Sequence, residues 1–130
     1  MSKLALMLLL AVASSAAMAG GEKVGSRGTT GTHIDRASIR KAGDIVEMWN
    51  LFDFKTARND YFSPAAPLLS QKVKAAYDCK TEKTRILAIS GHAGNMGTGK
   101  SVYSVFDVGE WEPVPAGTIV RTLWKTACVK

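Results

Sequence analysis

Residues 71–80 alternate. Val73, Ala75, Tyr77 and Cys79 fall on one side of an extended chain, and Lys72, Lys74, Ala76, Asp78 and Lys80 fall on the other. That is the pattern of a strand with one dry and one wet face. Gln, Lys and Ala also favour helix, so a helix over this stretch remains the alternative on propensity alone. Residues 45–54 are β-branched, aromatic or apolar and read as the longest strand. Ile45, Trp49 and Leu51 share one side with Glu47 and Asp53; Val46, Met48, Phe52 and Phe54 share the other with Asn50. Apolar groups on both faces predict a central strand, covered by a helix on one face and partly covered on the other. The second cover is either packing within the chain or a second copy of it in a homodimer.

Shorter strands are expected at residues 23–26, 32–35, 84–90 and 100–106. Residues 36–41 read as a single helical turn, and residues 42–44 as a tight turn in which Gly43 takes a positive φ. Residues 84–90 follow the 71–80 strand through a turn and pair with it as a hairpin. Residues 55–70 hold Asn59, Asp60, Ser63, Pro64 and Pro67, all turn formers, and read as the loosest segment. Residues 118–128 read as an amphipathic helix. Ile119, Leu123 and Ala127 are spaced by four, as are Val120, Trp124 and Cys128, and Thr118 stands where an N-cap is needed. Its many β-branched residues make it a poor helix in isolation, so it depends on packing.

The N-terminus changes the compartment. Lys3 precedes an apolar run at residues 4–12, and Ala17, Met18 and Ala19 form a small-x-small cleavage site. The run is too short to span a bilayer and has the length of a signal-peptide core. Residues 1–19 are therefore expected to be a signal peptide cut between Ala19 and Gly20, with residues 20–130 as one domain. An uncleaved anchor is the alternative. No cysteine follows the cut, so an exported chain, periplasmic or secreted, without lipoprotein attachment is expected. Two cysteines in an exported domain predict one disulfide, Cys79–Cys128, with two free thiols as the alternative. Closing that loop is worth about 4 kcal/mol in chain-entropy terms. The fold class is then α+β, a single antiparallel β-sheet packed on a C-terminal α-helix and tied by one disulfide.

Seventeen basic residues stand against eleven acidic, a net charge of +6. This favours anionic partners such as a sulfated glycan. The basic residues are dispersed along the chain, and export removes it from nucleic acid, so nucleic acid is not expected as a partner. Gly94–Ser101 matches the phosphate-loop pattern G-x-x-x-x-G-K-[ST] at every position. A true phosphate loop leads into a helix. Here the following residues are strand-like, so no nucleotide is expected and the segment reads as a glycine-rich connection. His33, Asp35 and His92 lack the spacing of a metal site, and no nucleophile elbow is present. The chain reads as a non-enzyme with no cofactor and no metal. Loops commonly carry binding specificity, and Tyr61 and Phe62 in residues 55–70 are the candidate binding residues.

The ordered set Ile34-Asp35, Ser38-Ile39, Gly43, Trp49-x-Leu51-x-Asp53, Tyr77-Asp78-Cys79, Arg85-x-Leu87, Met96-Gly97-x-Gly99, Trp111-x-Pro113, Pro115-x-Gly117-Thr118, Leu123-Trp124 and Cys128 resembles the surface-adhesin protein E family of Gram-negative bacteria. The resemblance implies an antiparallel sheet backed by a C-terminal helix and tied by the two cysteines. It also implies surface exposure and binding of host extracellular-matrix or serum proteins. The alternative is an envelope protein of structural or housekeeping role with no host ligand.

Overall fold

The computed structural model describes residues 21–129. The expected signal peptide and its cleavage point at Ala19 and Gly20 lie outside the described residues. In chain order the elements are β1 (Glu22–Arg27), β2 (Thr30–Ala42), β3 (Ile45–Asp60), β4 (Ser63–Asp78), β5 (Lys83–His92), a 3-10 turn (Asn95–Gly97), β6 (Ser101–Val105), β7 (Glu112–Pro113) and α1 (Ile119–Cys128). Strands β1 to β6 form an antiparallel meander in sequence order, and β7 pairs with β5. The alternating stretch at residues 71–80 is strand, the C-terminal part of β4, with Val73, Ala75 and Tyr77 buried.

The front of the sheet carries Val46, Met48, Asn50, Val73, Ala75 and Tyr77, and α1 lies over it through Leu123 and Ala127. Gly25 lets the helix come close, since a Cβ there would stand 2.8 Å from Ile119 Cδ1. The Thr118 side chain caps α1, its Oγ1 accepting from the Arg121 amide at 3.3 Å. Trp124 Nε1 donates to the Asp78 carbonyl at 2.9 Å, beside the Cys79–Cys128 disulfide. Cys79 lies one residue past the end of β4, where its amide bonds to the Asp44 carbonyl at 2.8 Å. The staple thus joins the sheet's end, rather than its middle, to the last residue of the helix.

Two expectations need correction, and one that was left open is decided at Leu51. Residues 36–41 are not a helical turn. Between the pairs Asp35↔Trp49 and Arg40↔Glu47, β2 has four residues where β3 has one. The excess is a wide bulge, tightened by Ser38 Oγ, which donates to the Asp35 carbonyl and accepts from the Trp49 amide. The local tendency to coil is real, but the ladder on either side absorbs it. Residues 55–70 are not loose either; they are the outer halves of β3 and β4, closed by a turn at Tyr61 and Phe62. Pro64 and Pro67 are tolerated because β4 meets β5 only from Ser70 onward, so neither proline faces a second strand. Finally, the second face of β3 is covered at Leu51 by the chain itself. The 3-10 turn places buried Gly97 against Leu51, where a Cβ would stand 3.3 Å from its Cδ1.

Candidate functional site

The outer halves of β3 and β4 make a two-stranded arm, and a two-stranded ribbon is marginal by itself in water. Its tip is fixed by polar bonds from both sides. The Phe62 amide bonds to Asp60 Oδ1 at 3.0 Å, and Asn59 Nδ2 donates to the Ser63 and Pro64 carbonyls at 3.3 and 3.1 Å. The Tyr103 hydroxyl on β6 donates to Asp60 Oδ2 at 2.6 Å, and Gln71 Nε2 donates to that hydroxyl at 3.0 Å. Phe62 packs on the Tyr103 ring with centroids 5.3 Å apart. Burial, then the bond to the Asp60 carboxylate, pushes the Tyr103 phenol well above its ordinary value. Tyr103 therefore stays a neutral donor throughout the physiological range.

Gly91 makes this latch fit. It pairs with Tyr103 across β5 and β6, and a Cβ on it would lie 2.3 Å from Tyr103 Cε2. The ring lies over the bare backbone and reaches the arm. The outcome is a held tip with two aromatic residues presented at its end, Tyr61 at 88% exposure and Phe62 at 43%. Sequence reasoning selected this pair but missed Asp60, Gln71, Gly91 and Tyr103, which hold it. Their only sequence signal was a polar residue and a glycine at strand positions.

Between the arm and α1, the front of the sheet is only partly covered. A groove of about 490 Å³ remains there, lined by Phe52, Val73, Ile86, Ile89, Val120 and Leu123. Asn50 also lines it; its Nδ2 donates to the Tyr77 hydroxyl at 2.6 Å, while its Oδ1 has no protein partner among the described residues. Burial raises the Tyr77 phenol to about 12. Glu110 and Glu112 stand exposed among the residues at its border.

On the opposite face lies the segment that matches the phosphate-loop pattern. The Met96 amide bonds to Asp53 Oδ1 at 2.7 Å and the Gly97 amide to Ser70 Oγ at 2.9 Å. Ser70 Oγ donates in turn to the Gly94 carbonyl at 2.6 Å, and Asn95 Nδ2 bonds to Asp53 and to the Phe54 carbonyl. Amides that would face an anion in a phosphate loop are taken by the sheet's own groups. The chain then continues into β6, a strand. His33 and His92 are separated by β3 and β4, about three inter-strand spacings of roughly 4.8 Å each. His92 instead bonds to Ser90 Oγ at 2.8 Å, and Asp35 bonds to the Ala37 amide at 3.2 Å.

The family model described as "Surface-adhesin protein E" matches residues 16–129. No curated protein matches. Among solved structures, Haemophilus influenzae protein E in crystal form II is similar at a TM-score of 0.66 and 13% identity, over 85% of this chain and 87% of that one. A second structure of Haemophilus influenzae protein E gives a TM-score of 0.60 at 13% identity, over 84% and 93%. Protein E from non-typeable Haemophilus influenzae gives 0.62 at 13%, over 88% and 78%. At this identity the likeness speaks for the fold.

Proposed function

The chain belongs to the surface-adhesin protein E family, and from that premise we propose that it is an exported, non-enzymatic binding protein that contacts a host matrix or serum protein through the tip of the β3–β4 arm. The observation that carries this reading is the held tip. Tyr61 is 88% exposed, on a turn whose neighbours Asp60 and Phe62 are both fixed to β6. A large aromatic presented from an ordered element loses little freedom on binding, and such residues dominate protein contacts. A periplasmic or secreted form is part of the reading. An anionic glycan is the second ligand class, supported by the net charge of +6.

Surface-immobilised vitronectin, laminin and a panel of sulfated glycans provide the test. Saturable binding is expected from the wild type. The double substitution Tyr61→Ser with Phe62→Ser should weaken it at least about tenfold, a loss near 1.4 kcal/mol. Its melting temperature should stay close to that of the wild type. The absence of saturable binding to every surface would favour the envelope-protein alternative. Binding unchanged by the double substitution would move the contact away from the arm.

A further inference from the structure

The sheet has two outer edges, and they are built differently. β1 carries Glu22, Lys23 and Arg27, its register slips between Lys23 and Gly25, and Arg36 holds Glu22 at 2.8 Å. Charges and a bulge are how proteins keep an edge from pairing with another chain. β6 reads Ser-Val-Tyr-Ser-Val, with no charged residue, and it has no strand beyond it among the described residues. Its one irregularity lies between Ser101 and Tyr103, where Val102 is the extra residue, leaving Tyr103, Ser104 and Val105 in regular register.

Exposed apolar residues gather along the same side. Phe106 and Val108 follow β6 directly, at 74% and 58% exposure. Ile86, at 45%, accepts from the Gly109 amide. Phe62 reaches β6 from the arm by packing on Tyr103, and Tyr61 packs edge-on against Phe62. Of the large hydrophobics exposed on the described chain, only Val129 stands elsewhere. The groove opens behind this edge. Asp107, Glu110 and Glu112 are exposed on the stretch that follows β6. Its nearby cation, Arg85, is engaged by the Gly109 carbonyl at 2.9 Å and by the Trp111 ring at 5.0 Å. Apart from Lys100 just before β6 and Lys83, which pairs with Pro113 next to Glu112, the charge along this stretch is negative, against the net +6 of the whole chain.

We propose that the β6 edge receives an extended peptide segment of a basic partner protein, added to the sheet as a further strand. Backbone groups of β6 supply the pairing. Alternate apolar side chains of the peptide lie beside Tyr103 and Val105, toward the groove, and its basic side chains meet Asp107, Glu110 and Glu112. Strand addition draws affinity from the main chain and selectivity from alternate side chains. The inference rests on the reading of the chain as a binding protein and names the chemistry of its partner.

The probe is an end-blocked hexapeptide alternating valine and lysine, titrated into the isotope-labelled protein and followed by amide chemical shifts. Saturable shifts centred on Ser101–Val105 are expected. The same peptide with alternate amides N-methylated, and one with glutamate in place of lysine, should each bind at least about tenfold more weakly. The substitutions Ser104→Pro, and Phe106→Lys with Val108→Lys, should each weaken binding comparably. The second pair changes only exposed residues, so a folding failure of Ser104→Pro leaves the test intact. Equal binding of the N-methylated peptide, shifts centred on β1, or sedimentation showing that the edge is closed by a second copy would overturn the proposal. Loss of peptide binding with host-protein binding retained would sink this inference alone. Peptide binding at β6 without host-protein binding would sink the host reading alone.

Discussion

The Asn50–Tyr77 pair concentrates polar risk in the core. Both residues are 1% exposed, and among the described residues the 2.6 Å bond between them is the only protein bond either makes from its side chain. Tyr77→Phe should cost about 1–3 kcal/mol, because it strands a buried amide. The phenol also makes stability depend on pH. Burial raises Tyr77 from 10.0 to about 12 in the folded protein. Its contribution is complete below pH 10 and lost as pH rises through 12, amounting to roughly 3 kcal/mol. Tyr103, raised as well, acts in the same direction. Urea midpoints should therefore fall between pH 10 and 12, and the fall should be shallower in Tyr77→Phe. Gly91→Ala presses on an aromatic ring at 2.3 Å, whereas Gly25→Ala meets only the movable end of Ile119 at 2.8 Å. The first should destabilise by about 1–3 kcal/mol and speed amide exchange at the arm's tip. The second should do less on both measures. Neither glycine could be singled out from the sequence, because what each makes room for lies on another element.

At the scale of elements, periodicity carried far. The strand at residues 71–80 and the helix with its Thr118 cap were legible because each buries one face on its own period. The arm was not. Prolines at 64 and 67 spoke against a strand, and only the pairing partner, absent from local sequence, decides whether a proline is harmless there. The bulge in β2 was hidden for the same reason, since coil-prone residues do not reveal the ladders on either side. The glycine-rich segment was rightly read as a connection, but its covering of Leu51 depends on Asp53 and Ser70, far away in sequence. The helix gives the clearest prediction at this scale. Its propensity is poor, and it is held by Leu123, Ala127 and the disulfide. Replacing Cys79 and Cys128 by serine should cost about 2–5 kcal/mol. Amides of α1 should be the first to lose protection from exchange.

The whole molecule is a meander tied at two opposite places. At one end the disulfide joins the end of β4 to the last residue of α1; near the other, Tyr103 joins the arm to β6. Between them the front of the sheet stays partly open, and the uncharged edge runs along its side. The disulfide has a mechanical consequence. Tension applied through the two chain ends would reach this fold unevenly. Cys128 is bonded to Cys79, so force entering at the C-terminus passes to the end of β4 and bypasses everything between. The chain between the two cysteines, a sequence separation of 49, cannot be drawn out; of the rest, the chain before Cys79 can extend. Single-molecule stretching should show a contour length shorter by roughly 160–180 Å in the oxidised protein than in the reduced one. Strand β6, with its open edge, lies inside the protected loop. A partner paired there would sit on the part of the molecule that pulling cannot unravel.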